Sequence, residues 1–111
     1  MAGELLVFVT HPGGHSASEL ARTLVSDGLA ACVNVLPQVT SVFYWEGALQ
    51  ASSESLLLIK TNEASWPALS KRVKELHDYD VPEIIAVPIL HGDRPYLDWL
   101  NACLAGQAQY D

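Results

Sequence analysis

Positive charge is scarce in this sequence: six Lys and Arg stand against thirteen Asp and Glu, for a net charge of −7. A phosphate backbone is repelled by such a surface, which excludes general DNA or RNA binding. Lys71, Arg72 and Lys74 do not restore that function, because together on one helix they read as a solvated face. Cysteine is equally scarce. Cys32 and Cys103 are the only two, and their spacing fits neither a zinc knuckle nor a disulfide framework. Both read as buried thiols of a protein in a reducing, cytoplasmic compartment. No long apolar run exists either: the opening MAGELLVFVTHPGG holds only Leu5 to Val9, with no basic stretch before it. Neither a signal peptide nor membrane insertion is expected. There is no internal repeat, linker or low-complexity tract, so residues 1–111 are expected to form one domain. Gly13 and Gly14 lack the G-x-G-x-x-G order and the following lysine of a phosphate loop. No Ser, His, Asp constellation can be assigned, and no enzyme is expected.

What is present is apolar: half the residues are hydrophobic and 17% charged, enough for one core with a surplus for contacts with another subunit. Residues 4–10 read as a strand ended by His11, Pro12, Gly13 and Gly14. Ser16 with Glu19 forms a capping-box pattern, followed by the stripe Ala17, Leu20, Ala21, Leu24 and Val25 up to Gly28. A β-rich stretch covers 31–45, with Pro37 at a bulge or edge and a reversal at Glu46 and Gly47. The aliphatic run 56–59 reads as a central strand covered on both faces. A second helix starts within 61–65 and reaches Leu76, turning Trp66, Leu69, Val73 and Leu76 to the sheet, with Pro67 in its first turn. A fourth strand spans 84–89, where Pro88 indicates an edge or bulge. Asp93 then caps a last helix so loaded with Tyr96, Leu97, Trp99, Leu100 and Leu104 that it either closes the core or docks on a neighbour. The order βαββαβ plus a C-terminal helix predicts an α+β fold of split βαβ, ferredoxin-like type, two helices covering one sheet face. Nothing in the chain is long enough to cover the other face, so another subunit is expected there.

The stretches LAACVNVLPQVTSVFYWEG, LLLIKT and LHDYDVPEIIAVPILHGDRPYLDWL resemble the CutA1 family of divalent-cation tolerance proteins over nearly the whole chain. The resemblance implies a ferredoxin-like homotrimer linked to tolerance of copper and other divalent metals, with Cu(II) or another divalent cation as a weakly bound ligand. It also implies a copper site of one cysteine and two adjacent histidines. The cysteine position falls on Val9 and the histidine positions on Leu76 and His77, so His77 alone is retained as a metal-ligand candidate. His11, close to the lost cysteine, is the candidate replacement.

Read from the residues, His77, Tyr79, Asp80 and Glu83 gather in one loop, and Lys60 ends the central strand. Lys60, Tyr79 and Glu83 are therefore expected to line an inter-subunit cleft with His77 at its rim, suited to a metal or a small anion. The bland alternative makes Asp78 and Asp80 turn formers and Tyr79 a packing residue. Gly92 is expected at positive φ beside the Asp93 cap, with His91 a weaker metal candidate. His11 and His15 read as a loop coincidence, and Phe43, Tyr44 and Trp45 as interface filling. Two other functions suit such a trimer: a small-metabolite sensor with sites at subunit clefts, by fold analogy, and a scaffold anchoring a protein partner.

Overall fold

Alternating burial along short aliphatic runs and one apolar stripe per helix give seven elements, in a computed structural model that describes residues 3–106. They are β1 (Glu4–His11), α1 (His15–Ser26), β2 (Cys32–Trp45), β3 (Ala48–Asn62), α2 (Trp66–Leu76), β4 (Ile84–Pro88) and α3 (Arg94–Leu104). All strand pairs are antiparallel, in the order β2-β3-β1-β4. The run 56–59 does lie in a central strand, and Pro88 ends the edge strand β4, where a missing N–H is tolerated.

Side chains alternate across a strand, so each face has its own set. Val7, Val9, Leu57 and Ile59 face α1 and α2, where Ala17, Leu20, Ala21, Leu24, Leu69 and Val73 close a core of buried residues. Leu56 and Leu58 point the other way and are only half-buried, so the protomer covers the run on one face alone. Part of that second face is taken by α3. Asn101 Nδ2 donates to Glu4 Oε2 at 2.8 Å, and its Oδ1 accepts from Asn62 Nδ2 at 3.0 Å. This polar junction fixes the end of α3 against β1 and β3, while Ile85 and Val87 on β4 stay exposed.

The β2–β3 hairpin turns at Glu46 (φ 51) and Gly47 (φ 78). Two consecutive positive φ values make a type I′ turn, whose twist suits a two-residue hairpin. A bulge between Leu36 and Val39, with Gln38 at φ 60, fulfils the expectation at Pro37. β1 pairs with β3 only as far as Ser55, opposite His11. Residues 39–54 therefore form a two-stranded arm that carries exposed Val42, Phe43, Tyr44, Trp45 and Leu49.

Several expectations are corrected. The capping box does not form: Gly14 is the N-cap of α1, and the Ser16 hydroxyl instead donates to Gly13 O at 3.2 Å. α2 begins at Trp66 because β3 continues to Asn62, and Leu76 and Val25 are exposed rather than turned to the core. Asp93 is the N-cap of α3 but makes no side-chain cap bond. Gly92 lacks a positive φ; a Cβ there would lie 2.9–3.0 Å from three Leu97 side-chain atoms, so its role is close approach. Cys32 and Cys103 are free thiols, half-buried rather than buried.

Candidate functional site

The end of β1, the end of α2 and the arm meet at one place. His11 is the last residue of β1, and His77 is the C-cap of α2 with extended backbone (φ −82, ψ 145). That conformation swings the 77–83 loop across the sheet end and stacks the two imidazoles, their centroids 4.8 Å apart. Both rings are buried. The backbone fixes their proton positions. His77 Nδ1 accepts from Tyr79 N–H at 3.0 Å, so the ring proton sits on Nε2 and is donated to Thr10 O at 2.6 Å. His11 Nδ1 accepts from Gly13 N–H at 3.1 Å. Burial, followed by the neighbouring His77, lowers the pKa of His11, against weaker raising effects of Asp78 and Glu54.

Tyr79 continues the stack, its ring centroid 5.0 Å from that of His77. Its hydroxyl donates to Oε2 of Glu54 at 3.0 Å, and burial with this bond raises the phenol pKa. Glu54, on β3, is only 6% exposed. Sequence reasoning missed it, because the polar run ASSES reads as a solvated strand segment and carries no aliphatic signal. Between the 78–83 loop and the arm lies a cleft of about 1130 Å³, lined by Thr10, Phe43, Trp45, Gln50, Glu54, Asp78, Tyr79, Asp80 and Glu83 among others.

The expected constellation is thus brought together in part. Tyr79, Asp80 and Glu83 line the cleft, whereas His77, expected at its rim, is buried behind Tyr79 and does not line it. Lys60 stands elsewhere in the protomer, its ammonium hydrogen-bonded to the Asn34 side-chain oxygen and 3.9 Å from Cys32 Sγ, beneath α3. Val9, the cysteine position of the resemblance, is a fully buried core residue. His15 is exposed beside Glu19 at 3.6 Å and does not join His11, and His91 is exposed.

A resident metal does not fit these donors as they stand. Three of the four ring nitrogens in the histidine pair already have backbone partners. Among the described residues no group of three or more His, Cys, Asp or Glu side chains converges on a point where one ion could sit. A metal needs such convergence for selectivity.

Three comparisons complete the description. The family model described as CutA1 divalent ion tolerance protein matches residues 5–103. The divalent-cation tolerance protein CutA of Thermus thermophilus is 48% identical over 98 residues, which are 88% of this chain and 95% of that protein. The chloroplastic protein CutA 1 of Oryza sativa is 48% identical over 97 residues, 87% of this chain, and the chain spans 55% of that relative's length. The crystal structure of CutA1 from Oryza sativa superposes with a TM-score of 0.90 at 45% identity, covering 92% of this chain and 94% of that one. The structure described as the periplasmic divalent cation tolerance protein CutA from Archaeoglobus fulgidus superposes with a TM-score of 0.88 at 34% identity, covering 91% and 98%.

Proposed function

This chain belongs to the CutA1 divalent ion tolerance family, and from that premise we propose that it serves metal-ion tolerance as a non-enzymatic, cytoplasmic homotrimer. The observation that carries the assembly is the arm of residues 39–54, with its exposed Val42, Phe43, Tyr44, Trp45 and Leu49. A two-stranded ribbon is marginal alone in water, and apolar surface of this extent calls for a cover. The half-exposed sheet face of Leu56, Leu58, Ile85 and Val87 offers a second apolar surface on the same protomer. A closed ring of identical copies can bury both without leaving an open edge. Sedimentation equilibrium at micromolar concentration is expected to give a trimer, and a monomer would overturn this reading. Free thiols at Cys32 and Cys103 suit a reducing compartment.

Contact with Cu(II) is, in this reading, weak and centred on His77. Its Nδ1 becomes available only when the Tyr79 N–H bond is given up, a loss of about 1 kcal/mol for a typical hydrogen bond. Calorimetry and EPR during Cu(II) titration of metal-free protein, beside His77→Ala and with zinc for comparison, test this. Weak nitrogen coordination that disappears in the variant is expected. Equal behaviour of the two proteins would make tolerance an indirect effect.

A further inference from the structure

Helix α3 covers one end of the second sheet face, and a thiol lies beneath it. Cys32 opens β2 on this side, with Lys60 as its Cα partner on β3. The Lys60 ammonium stands 3.9 Å from Cys32 Sγ and makes no ion pair with a carboxylate among the described residues. Next to Lys60 on the same face of β3 is Asn62, which bonds Asn101 of α3 at 3.0 Å and so fixes the helix over this end of the sheet. Tyr96 and Cys103 stand about two turns apart on one face of α3, and both register Cys32. Burial, followed by the charge and hydrogen-bonding approach of Cys32, raises the pKa of the Tyr96 phenol, and Cys103 adds to the effect. Burial and then Cys32 raise that of the Cys103 thiol. The chain has only two cysteines, and the fold sets these two, remote in sequence, facing each other across the junction of β2 with α3.

We propose that Cys32 and Cys103 are a reversible redox pair that closes to a disulfide in response to peroxide and fastens α3 to β2 within one protomer. Their surroundings give the two thiols different parts. Cys32 has a cation beside its sulfur, the setting in which a thiol is oxidised first. It reduces hydrogen peroxide, an S–O bond forming as the O–O bond breaks, to give a sulfenic acid and water. The Cys103 sulfur then attacks the sulfenic sulfur, the S–O bond breaks, and the hydroxyl leaves with the Cys103 proton as a second water. Two thiols have given up two electrons and two protons, and one peroxide has become two waters. Cys103 lies in the last turn of α3, where helices fray, so its Cβ can adjust to the ~3.5–4.5 Å that a disulfide needs. Both thiols are half-buried rather than sealed, which leaves a path for a molecule the size of peroxide. The pair lies at the far end of β2 from the arm and across the sheet from Ile85 and Val87, and its cover is the protomer's own α3. Burying the arm in an assembly therefore does not separate the two sulfurs. Cellular thiols return the pair to its resting dithiol form in a reducing compartment. No metal takes part, so the pair stands independently of copper at His77.

The test uses the full chain in its native assembly, freed of metal, reduced and then exposed to hydrogen peroxide. After free thiols are blocked, mass spectrometry of unreduced peptides is expected to show a Cys32–Cys103 link within one protomer, and dithiothreitol to restore both thiols. In Cys103→Ser the reaction should stop at a sulfenic acid on Cys32 that dimedone traps, while Cys32→Ser should leave Cys103 a free thiol. Lys60→Gln, which keeps an N–H donor for Asn34 and removes the charge, is expected to slow thiol loss about threefold or more. Lys74→Gln, on α2, is expected to change the rate less than about 1.5-fold. Links between protomers, or sulfinic and sulfonic acids on Cys32 with no link in the unmodified chain, would overturn the pair. So would thiols that stay free in the native assembly while peroxide oxidises them in denaturant.

Discussion

His11 shows how much a single side chain can settle. Its ring is buried against His77, its Nδ1 is committed to Gly13 N–H, and its pKa lies below the ordinary value of 6.5. A lowered pKa in the folded state means that protonation favours the unfolded chain. The stabilising contribution is complete above about pH 6.5 and is lost as pH falls from there through the lowered folded value. Asp78 and Glu54, which raise the pKa, limit the effect without reversing it. Denaturant midpoints taken between pH 8 and pH 5 should therefore fall on the acid side, and His11→Gln should flatten that fall. A slope unchanged in the variant would assign the acid sensitivity to other groups. The sequence made His11 and His77 visible as candidates, but not their contact. Contact depends on the extended backbone at His77, and no local residue pattern announces that conformation.

Elements with an aliphatic period were legible, and their ends were less so. β1, the bulge near Pro37, the turn at Glu46 and Gly47 and the stripes of α1 and α2 all follow from local chemistry. The capping box at Ser16 failed because Gly14, already at positive φ (68), caps the helix two residues earlier. The start of α2 was misplaced because Thr61 stays in β3, where its hydroxyl donates to Leu29 O at 2.8 Å. α3 is held by something no periodicity reveals, the Asn101, Glu4 and Asn62 junction. Asn101→Ala would leave the buried Glu4 carboxylate without that N–H donor and is expected to cost about 1.5–3 kcal/mol in chemical denaturation, as for other hydrogen bonds to charged groups. A loss below about 0.5 kcal/mol would show that α3 is held by Leu97 and Leu100 alone. Trp99, which lies 42% exposed with its ring 5.5 Å from Tyr96, belongs to the outward side of this helix. In the protomer, then, α3 buries Leu97 and Leu100 on the second sheet face, outside the α1 and α2 core, and keeps apolar surface outside.

At the scale of the molecule, the principal extents are 48 × 27 × 23 Å, and the long axis suits a chain whose arm reaches away from its own core. That shape was not legible from strand prediction, since the sequence marks the arm's residues as β-forming without saying that β1 stops short of them. An assembly that covers the arm ties folding to protein concentration. The melting temperature is expected to fall on serial dilution through the trimer's dissociation range, with the loss reversed on reconcentration. A melting temperature constant over a thousandfold dilution would mean either a protomer stable alone or an interface too tight to dissociate on that scale, and light scattering separates the two. In the protomer Tyr79 and Glu83 line the cleft beside the arm, while Lys60 lies apart from them, paired with Asn34.

The short turn of the arm also sets an order of events during synthesis. β2 and β3 are joined by two residues, and their pairing grows outward from Trp45 opposite Ala48, whereas β4 joins the sheet through pairs as remote as Leu5 with Pro88. Hairpins close in about 1–10 μs, far faster than a ribosome adds a residue. The arm can therefore pair before β4 and α3 join the sheet, and a folding chain presents its apolar ribbon while the rest of its sheet is still unfinished.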